Sequence, residues 1–267
     1  MQLDAYLNRI GYKGSLTPDL ATLTAIHRAH LLAITYENLD IHRACPVTVD
    51  LPQIYEKIVN NGRGGWCFEM NGLLGWALCE VGFDVTLLSS CVGRGQDEPV
   101  PEGAGDHLIL RVDLDKPYLA DAGFGNGFLE PIPLAEGEYQ QGIFTYKLAQ
   151  KGGRWWFQNH AGPGYDFDLQ PHQLTDFTPS SNHLQTSPES GFVKNTVCLR
   201  FTPDGMLALR GAVYKATSPQ GMTEETVDNI THYQALLTDV FGLRVPDTER
   251  IWERVWARHQ AWLKEQG

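Results

Sequence analysis

The hydrophobic period of this chain changes twice along its length, and no other feature narrows its fold as far. Through about residue 83, apolar side chains return at three- and four-residue spacing, as in helices with one buried stripe. From about 84 the spacing becomes two and the runs shorten, as in strands of a sheet or small barrel. Beyond about 223 helical spacing resumes. Helices and strands segregated in this way describe a helix-sheet-helix, α+β layout. With 267 residues the chain can form two or three packed units.

Punctuation residues place the elements. Thr17 and Pro18 read as N-cap and first residue of a helix carrying Leu20, Leu23, Ile26 and Leu31. Asp50 to Pro52 opens another, carrying Ile54, Ile58 and Val59, which Asn61-Gly62 closes. Strands are expected over 85–92, 107–114, 118–122, 144–148, 155–158, 197–201 and 207–214. The stretches 93–106, with four glycines and two prolines, and 159–193 read as long loops, which in compact domains often carry function. Single helices are expected over 223–241 and 248–266. The second has an aromatic stripe, Trp252, Trp256 and His259, expected to pack on the rest of the protein.

Between the helices and the sheet, Arg63-Gly64-Gly65-Trp66-Cys67-Phe68-Glu69 sets one cysteine behind two glycines at a helix start. The helix is legible in Met70, Leu73, Leu74, Ala77, Leu78 and Val81, with Gly82 as its stop. Free N–H groups and the dipole at a helix N-terminus favour an anion, so Cys67 is expected below the free-thiol pKa of roughly 8.5. Gly64 and Gly65, lacking side chains, are expected to let substrate reach the sulfur. The competing reading is an inert core cysteine.

A nucleophilic thiol needs a base and a group to orient that base. His107 opens a strand directly after the glycine-rich stretch, and Asp121 ends the next strand before Gly123-Phe124-Gly125. A two-residue turn between those strands would put His107 and Asp121 on opposite faces. A three-residue turn or bulge, with 115–117 supplying the odd residue, would bring them onto one face, and such an irregularity is expected here. His27, His30, His42 and His259 read as surface or packing residues. Arg63 and Glu37 are expected to pair beneath the site and hold the helix start, with Glu69 as an alternative partner.

A formal charge of −11 argues against nucleic acid as the main partner, so an anionic ligand would need a local basic patch. The five cysteines form no C-x-x-C pair, which makes a disulfide framework or structural zinc improbable, and no metal is expected. The start of the chain lacks a signal-like apolar run, and no segment approaches the roughly 18 apolar residues of a membrane helix. A reducing cytoplasm is the expected compartment.

Taken in order, Tyr36-Glu37-Asn38-Leu39-Asp40, Arg63 to Glu69, His107, Leu119-Ala120-Asp121-Ala122-Gly123-Phe124-Gly125 and Thr186-Ser187-Pro188-x-Ser190-x-Phe192 resemble arylamine N-acetyltransferases of the bacterial type. Trp66 stands where that family more often has Tyr, and Ala120 and Ala122 where larger aliphatics are usual. The resemblance implies a helical bundle over 1–83, a β-barrel over 84–193 and an α/β lid over 194–267, around a cysteine-protease-like Cys-His-Asp core. It implies Cys67, His107 and Asp121 as catalytic triad and acetyl-CoA as co-substrate. The implied reaction is ping-pong acetylation of small aromatic amines or hydrazines, as in xenobiotic metabolism. Phe124, Val92 and Phe192 are candidates for the acceptor pocket, and Gly125, Tyr214 and Lys215 for the CoA side. No phosphate-binding glycine loop is visible, so CoA recognition is expected to be diffuse. Competing readings are a transglutaminase-like thiol acyltransferase, an amide synthase of the same fold, and a binding module with a buried cysteine.

Overall fold

A computed structural model describes residues 1–266. The helical part runs α1 (Leu3–Arg9), α2 (Leu20–Ala33), the two-residue strand β1 (Tyr36–Glu37), α3 (Leu39–His42), α4 (Leu51–Tyr55) and α5 (Cys67–Val81). Asp19 caps α2, its Oδ1 accepting the Thr22 N–H at 2.8 Å. The expected Thr17 cap is therefore displaced by two residues, because Asp19 supplies the acceptor and Pro18 precedes it. Asp50 caps α4 as expected, accepting from the Gln53 N–H at 3.1 Å.

The chain then builds an eight-stranded antiparallel sheet that curls nearly closed into a barrel. Its strands are β2 (Asp84–Val92), β3 (His107–Asp113), β4 (Pro117–Ala120), β5 (Ile132–Pro133), β6 (Gly137–Gln141), β7 (Phe144–Lys151), β8 (Arg154–Gln158) and β9 (Tyr165–His172). In space they run β5-β4-β3-β2-β9-β8-β7-β6. β9 lies inside the stretch 159–193 that reads as a loop, yet it is central, joining β2 to β8. Tyr165 and Phe167 fill the interior, but Asp166 between them is also buried, held by Arg94 and Arg154. An acidic residue in a buried position hides the strand's alternation.

Beyond β9 come α6 (Thr178–Thr186), α7 (Gly191–Lys194), β10 (Val197–Thr202), β11 (Gly205–Arg210), β12 (Val213–Ser218), β13 (Gly221–Thr226), α8 (Ile230–Ala235) and α9 (Thr248–Gln266). The single strand expected over 207–214 is split, because Gly211, at φ +55°, turns the chain between β11 and β12. The helix expected over 223–241 starts only at Ile230, where the Asn229 side chain accepts the His232 N–H at 2.9 Å. Residues 221–226 instead pair with β12; all are exposed, so no apolar stripe held them in a helix. The β10–β13 sheet also recruits β1, with Tyr36 opposite Leu199 and Glu37 opposite Cys198, which fixes the helical part against the last third of the chain.

The main core lies between α5 and the barrel, where Met70, Leu73, Leu74, Ala77 and Leu78 are fully buried against Ile109, Leu110 and Leu119. A second cluster packs α8 and α9, through Tyr233, Ile251 and Trp252, against the β10–β12 face.

Candidate active site

Cys67 is the first residue of α5, and the Glu69 carboxylate accepts the Trp66 N–H at 3.1 Å, which fixes where the helix begins. Beneath this start lies a buried charge network. Arg63 Nε and Nη2 both donate to Glu37 Oε1, at 3.0 and 2.6 Å, and Arg63 also pairs with Asp40 at 3.0 Å. Lys57 spans Asp40 and Glu69, at 3.0 and 2.9 Å, so Glu69 answers Lys57 rather than Arg63. Although burial pushes the Asp40 carboxyl up, the Lys57 and Arg63 cations hold it down to about 2. The expected Arg63 and Glu37 pair is present.

The glycines act differently from expectation. A Cβ on Gly64 would lie 2.0 Å from the Thr35 carbonyl oxygen, and one on Gly65 would lie 2.8 Å from Glu69 Cβ. Both are buried against protein, so they let the segment before Cys67 pack on residues 35–37 and on α5, and do not open a path to the sulfur. The glycine that meets the nucleophile is Gly123, where a Cβ would come within 2.8 Å of Cys67 Cα.

His107 reaches Asp121 as the turn argument requires. Asp113 pairs with Pro117, leaving Leu114, Asp115 and Lys116 as a three-residue turn. The register then aligns Leu110 with Ala120, so continuation puts Asp121 on the same face as His107. The odd residue is Leu114 rather than Pro117, which opens β4. His107 Nε2 lies 2.9 Å from Asp121 Oδ2, and both side chains are buried. Nε2 is thus engaged, and Nδ1 is the ring nitrogen left for the cavity.

Two further side chains hold Asp121, and the sequence reading did not single out either. Asn71 sits one helical turn beyond Cys67; its Nδ2 donates to Asp121 Oδ1 at 2.8 Å and its Oδ1 accepts the Ala122 N–H at 2.8 Å. The i, i+4 spacing from Cys67 was a usable signal for it. His27, read as surface or packing, is fully buried. Its Nδ1 lies 3.0 Å from the Leu129 carbonyl oxygen, and its Nε2 accepts the Asp121 N–H at 3.1 Å, which defines a neutral tautomer. Burial pushes this imidazole down to about 4. Burial also raises the Asp121 carboxyl, but the His107 charge and hydrogen bonds from His107, Asn71 and the Gly123 N–H bring it below the usual range.

Cys67, His107, Phe124, Val92 and Phe192 line one cavity of about 550 Å³ together with Tyr36, Asp106 and Arg210. Its aromatic wall is built by Phe124, whose ring centroid lies 5.4 Å from that of His107, and by Phe192, edge-on to Trp66 at 5.3 Å. Gly125, at φ +79°, lies against Leu199 and Tyr36 behind this wall. Tyr214 and Lys215 lie elsewhere: Tyr214 packs edge-on to Phe241, and Lys215 pairs with Glu224 on β13. Against the expected low thiol pKa, burial pushes Cys67 up, with the Asp106 charge adding to it and the Phe68 N–H opposing. A thiolate here needs a cation beside it, and His107 lines the same cavity.

A buried thiol and an imidazole on one cleft, with a carboxylate behind the imidazole, are the groups that thiol-dependent acyl transfer uses. A family model described as N-acetyltransferase matches residues 19–250. The pineal gland isozyme NAT-3 of arylamine N-acetyltransferase from Gallus gallus is 38% identical over 79% of this chain and 81% of its own length. Arylamine N-acetyltransferase 1 of Homo sapiens is 34% identical over the same shares. The solved structure of Mycobacterium marinum arylamine N-acetyltransferase superposes with a TM-score of 0.88, at 29% identity over 96% of this chain and 99% of that one. The same enzyme in complex with CoA gives 0.87 at 30% identity, covering 96% of this chain and 99% of that one. The chain belongs to the arylamine N-acetyltransferase family, whose reaction is acetyl-CoA-dependent acetylation of arylamines. The transglutaminase-like reading falls away with that membership.

Proposed function

We propose that Cys67, His107 and Asp121 carry out a ping-pong transfer of acetyl from acetyl-CoA to small aromatic amines and hydrazines. The observation that carries this is the 2.9 Å contact of His107 with Asp121 at the wall of the cavity that Cys67 also lines. In the first half-reaction the Cys67 thiolate, paired with imidazolium His107, attacks the thioester carbonyl. The oxyanion is met by the Cys67 N–H, which at a helix start has no intrahelical partner. The tetrahedral adduct collapses, the C–S bond to CoA breaks, and His107 protonates the departing CoA thiolate. In the second half the amine nitrogen attacks acetyl-Cys67, His107 takes its proton, and the Cys67 thiolate is released. Asp121 fixes the His107 tautomer and stabilises the imidazolium.

An aromatic amine suits the site because its weakly basic nitrogen is unprotonated at neutral pH, and Phe124, Val92 and Phe192 offer its ring apolar contact. The segments 1–83, 84–193 and 194–267 act as three units around this cleft. No described helix is long and apolar enough to cross a membrane, and the free cysteines suit a reducing cytoplasm, the compartment proposed, with foreign arylamines as substrates.

Two measurements test the reading. Initial rates at varied acetyl-CoA and arylamine should give parallel double-reciprocal lines; converging lines would mean direct transfer without an acetyl-enzyme. Alkylation of Cys67 by iodoacetamide should titrate below the roughly 8.5 of a free thiol and shift above it in His107→Gln. A midpoint unmoved by that substitution would remove the ion pair.

A further inference from the structure

One carboxylate on the wall of the catalytic cavity has no part in the triad. Asp106 precedes His107 there, beside the acceptor candidates Val92 and Phe124. The backbone fixes its place. The Ser89 hydroxyl accepts the Gly105 N–H at 2.6 Å, a Cβ on Gly105 would lie 2.2 Å from the Ser90 carbonyl oxygen, and the Ser90 hydroxyl donates to the His107 carbonyl at 3.0 Å. Residues 105–107 are thus pressed onto the end of β2, and the Asp106 side chain accepts the Val92 N–H on Oδ1 at 2.8 Å.

Its partners set it apart from the rest of the interior. Among the described residues the buried carboxylates Glu37, Asp40, Glu69, Asp121 and Asp166 each meet an arginine, lysine or histidine. Asp106, half-buried, pairs with none, and its Oδ2 is left without a protein donor. Burial raises its carboxyl, and the Val92 N–H and the His107 charge counter only part of that rise. Its charge also raises the Cys67 thiol, so attack on the thioester does not account for a carboxylate here. The guanidinium of the cavity, Arg210, comes from the end of β11 and also lines a second cavity along α9 with Arg254 and Arg258. Positive and negative charge therefore enter the cleft from different walls.

We propose that Asp106 is a specificity-determining residue, whose free carboxylate oxygen selects acceptors that carry a cationic or N–H donor group on the ring besides the amine that is acetylated. Such a group seated at Oδ2 supplies the missing partner. Val92, whose N–H holds Oδ1, puts that contact beside the apolar wall proposed for the acceptor ring. An acceptor with a carboxylate substituent meets repulsion at the same point, so the cleft discriminates by rejection as well as by attraction. The inference rests on the arylamine reading above and adds which acceptors the cleft prefers.

The test compares three para-substituted anilines: 4-aminobenzylamine, whose alkylammonium is charged at neutral pH, 4-methylaniline, which is neutral, and 4-aminobenzoate. In Asp106→Asn, which keeps an oxygen for the Val92 N–H, the kcat/KM ratio of the first to the third should fall at least about tenfold, as expected for loss of one charge-assisted contact. 4-Methylaniline reports what the substitution does to Cys67 and His107 themselves, because those effects act on all three acceptors alike. An unchanged ratio, or an equal change for all three, would overturn the assignment. Calorimetric binding of benzamidine and of benzoate needs no acetyl transfer. Benzamidine should bind the wild type more tightly than benzoate does, and Asp106→Asn should erase that preference. No preference in the wild type, or one that persists in Asp106→Asn, would refute selection by Asp106. The expected binding pattern in a wild type unable to acetylate any of the anilines would instead fault the proposed function.

Discussion

The two sides of the catalytic cleft are held by different physics. On the helical side, Cys67 rests on three carboxylates, Glu37, Asp40 and Glu69, answered by three cations, Arg43, Lys57 and Arg63. On the barrel side, Asp121 is held by neutral groups, the Asn71 amide and the His27 imidazole, with the Gly123 N–H. The charged brace sets three cations against three carboxylates and fixes position, although the Glu69 charge still adds to the rise of the Cys67 thiol. The Asn71 and Gly123 donors that stabilise the Asp121 charge are themselves neutral, and His107 is the partner that can carry a charge opposite to it. The contrast implies that damage to the brace reads out as stability and damage to the barrel side as activity.

The sharpest break of that contrast is Asp121→Asn, which keeps shape but removes the charge that sets the His107 tautomer. It should lower kcat/KM on the order of a thousand- to ten-thousandfold with little change in melting temperature; a comparable fall in stability would erase the distinction. Next comes Glu37→Ala, which strands the buried Arg63 guanidinium with Asp40 alone. Denaturant unfolding should show a loss on the order of 3 to 5 kcal/mol, little altered by added salt because the pair is buried.

A third, smaller effect follows from His27. Its folded pKa, about 4, lies below its ordinary 6.5, so the folded state binds the proton less readily than the unfolded one. Stability is therefore full above about pH 6.5 and is lost as pH falls toward 4, by on the order of 3 kcal/mol for this group. His27→Gln should flatten that acid limb in urea melts across the window; an unchanged slope would show that His27 is not held neutral. Smallest is Asn71→Ala, expected to cost about 1 to 3 kcal/mol and to lower kcat, since it frees both Asp121 and the chain at Ala122.

What the sequence disclosed and what it hid divide along the same physical line. The helix start at Cys67, the pairing of Arg63 with Glu37, and the need for an odd-length turn between β3 and β4 follow from local geometry and charge. His27 was unreadable because its partner, the Asp121 N–H, lies 94 positions away and a backbone group leaves no mark in sequence. Asp166 hid β9 because its cations Arg94 and Arg154 lie 72 and 12 positions away, so a buried charge passed for a loop residue. At Gly64 and Gly65 the missing side chains were evident, but which surface they faced depended on Thr35 and Glu69 packing over them. The aromatic stripe of α9 was visible, and its cavity with Arg210 was not, because Arg210 joins Arg254 and Arg258 only in three dimensions.

The most direct test of the account is whether Cys67 itself carries the acetyl group. The protein is mixed with acetyl-CoA without any amine, quenched, and analysed by intact-mass and peptide mass spectrometry. The account predicts one acetyl adduct, on the peptide containing Cys67, that disappears on adding an arylamine and is absent from Cys67→Ala and strongly slowed in His107→Gln. An adduct on another cysteine, or amine acetylation that persists in Cys67→Ala, would contradict it.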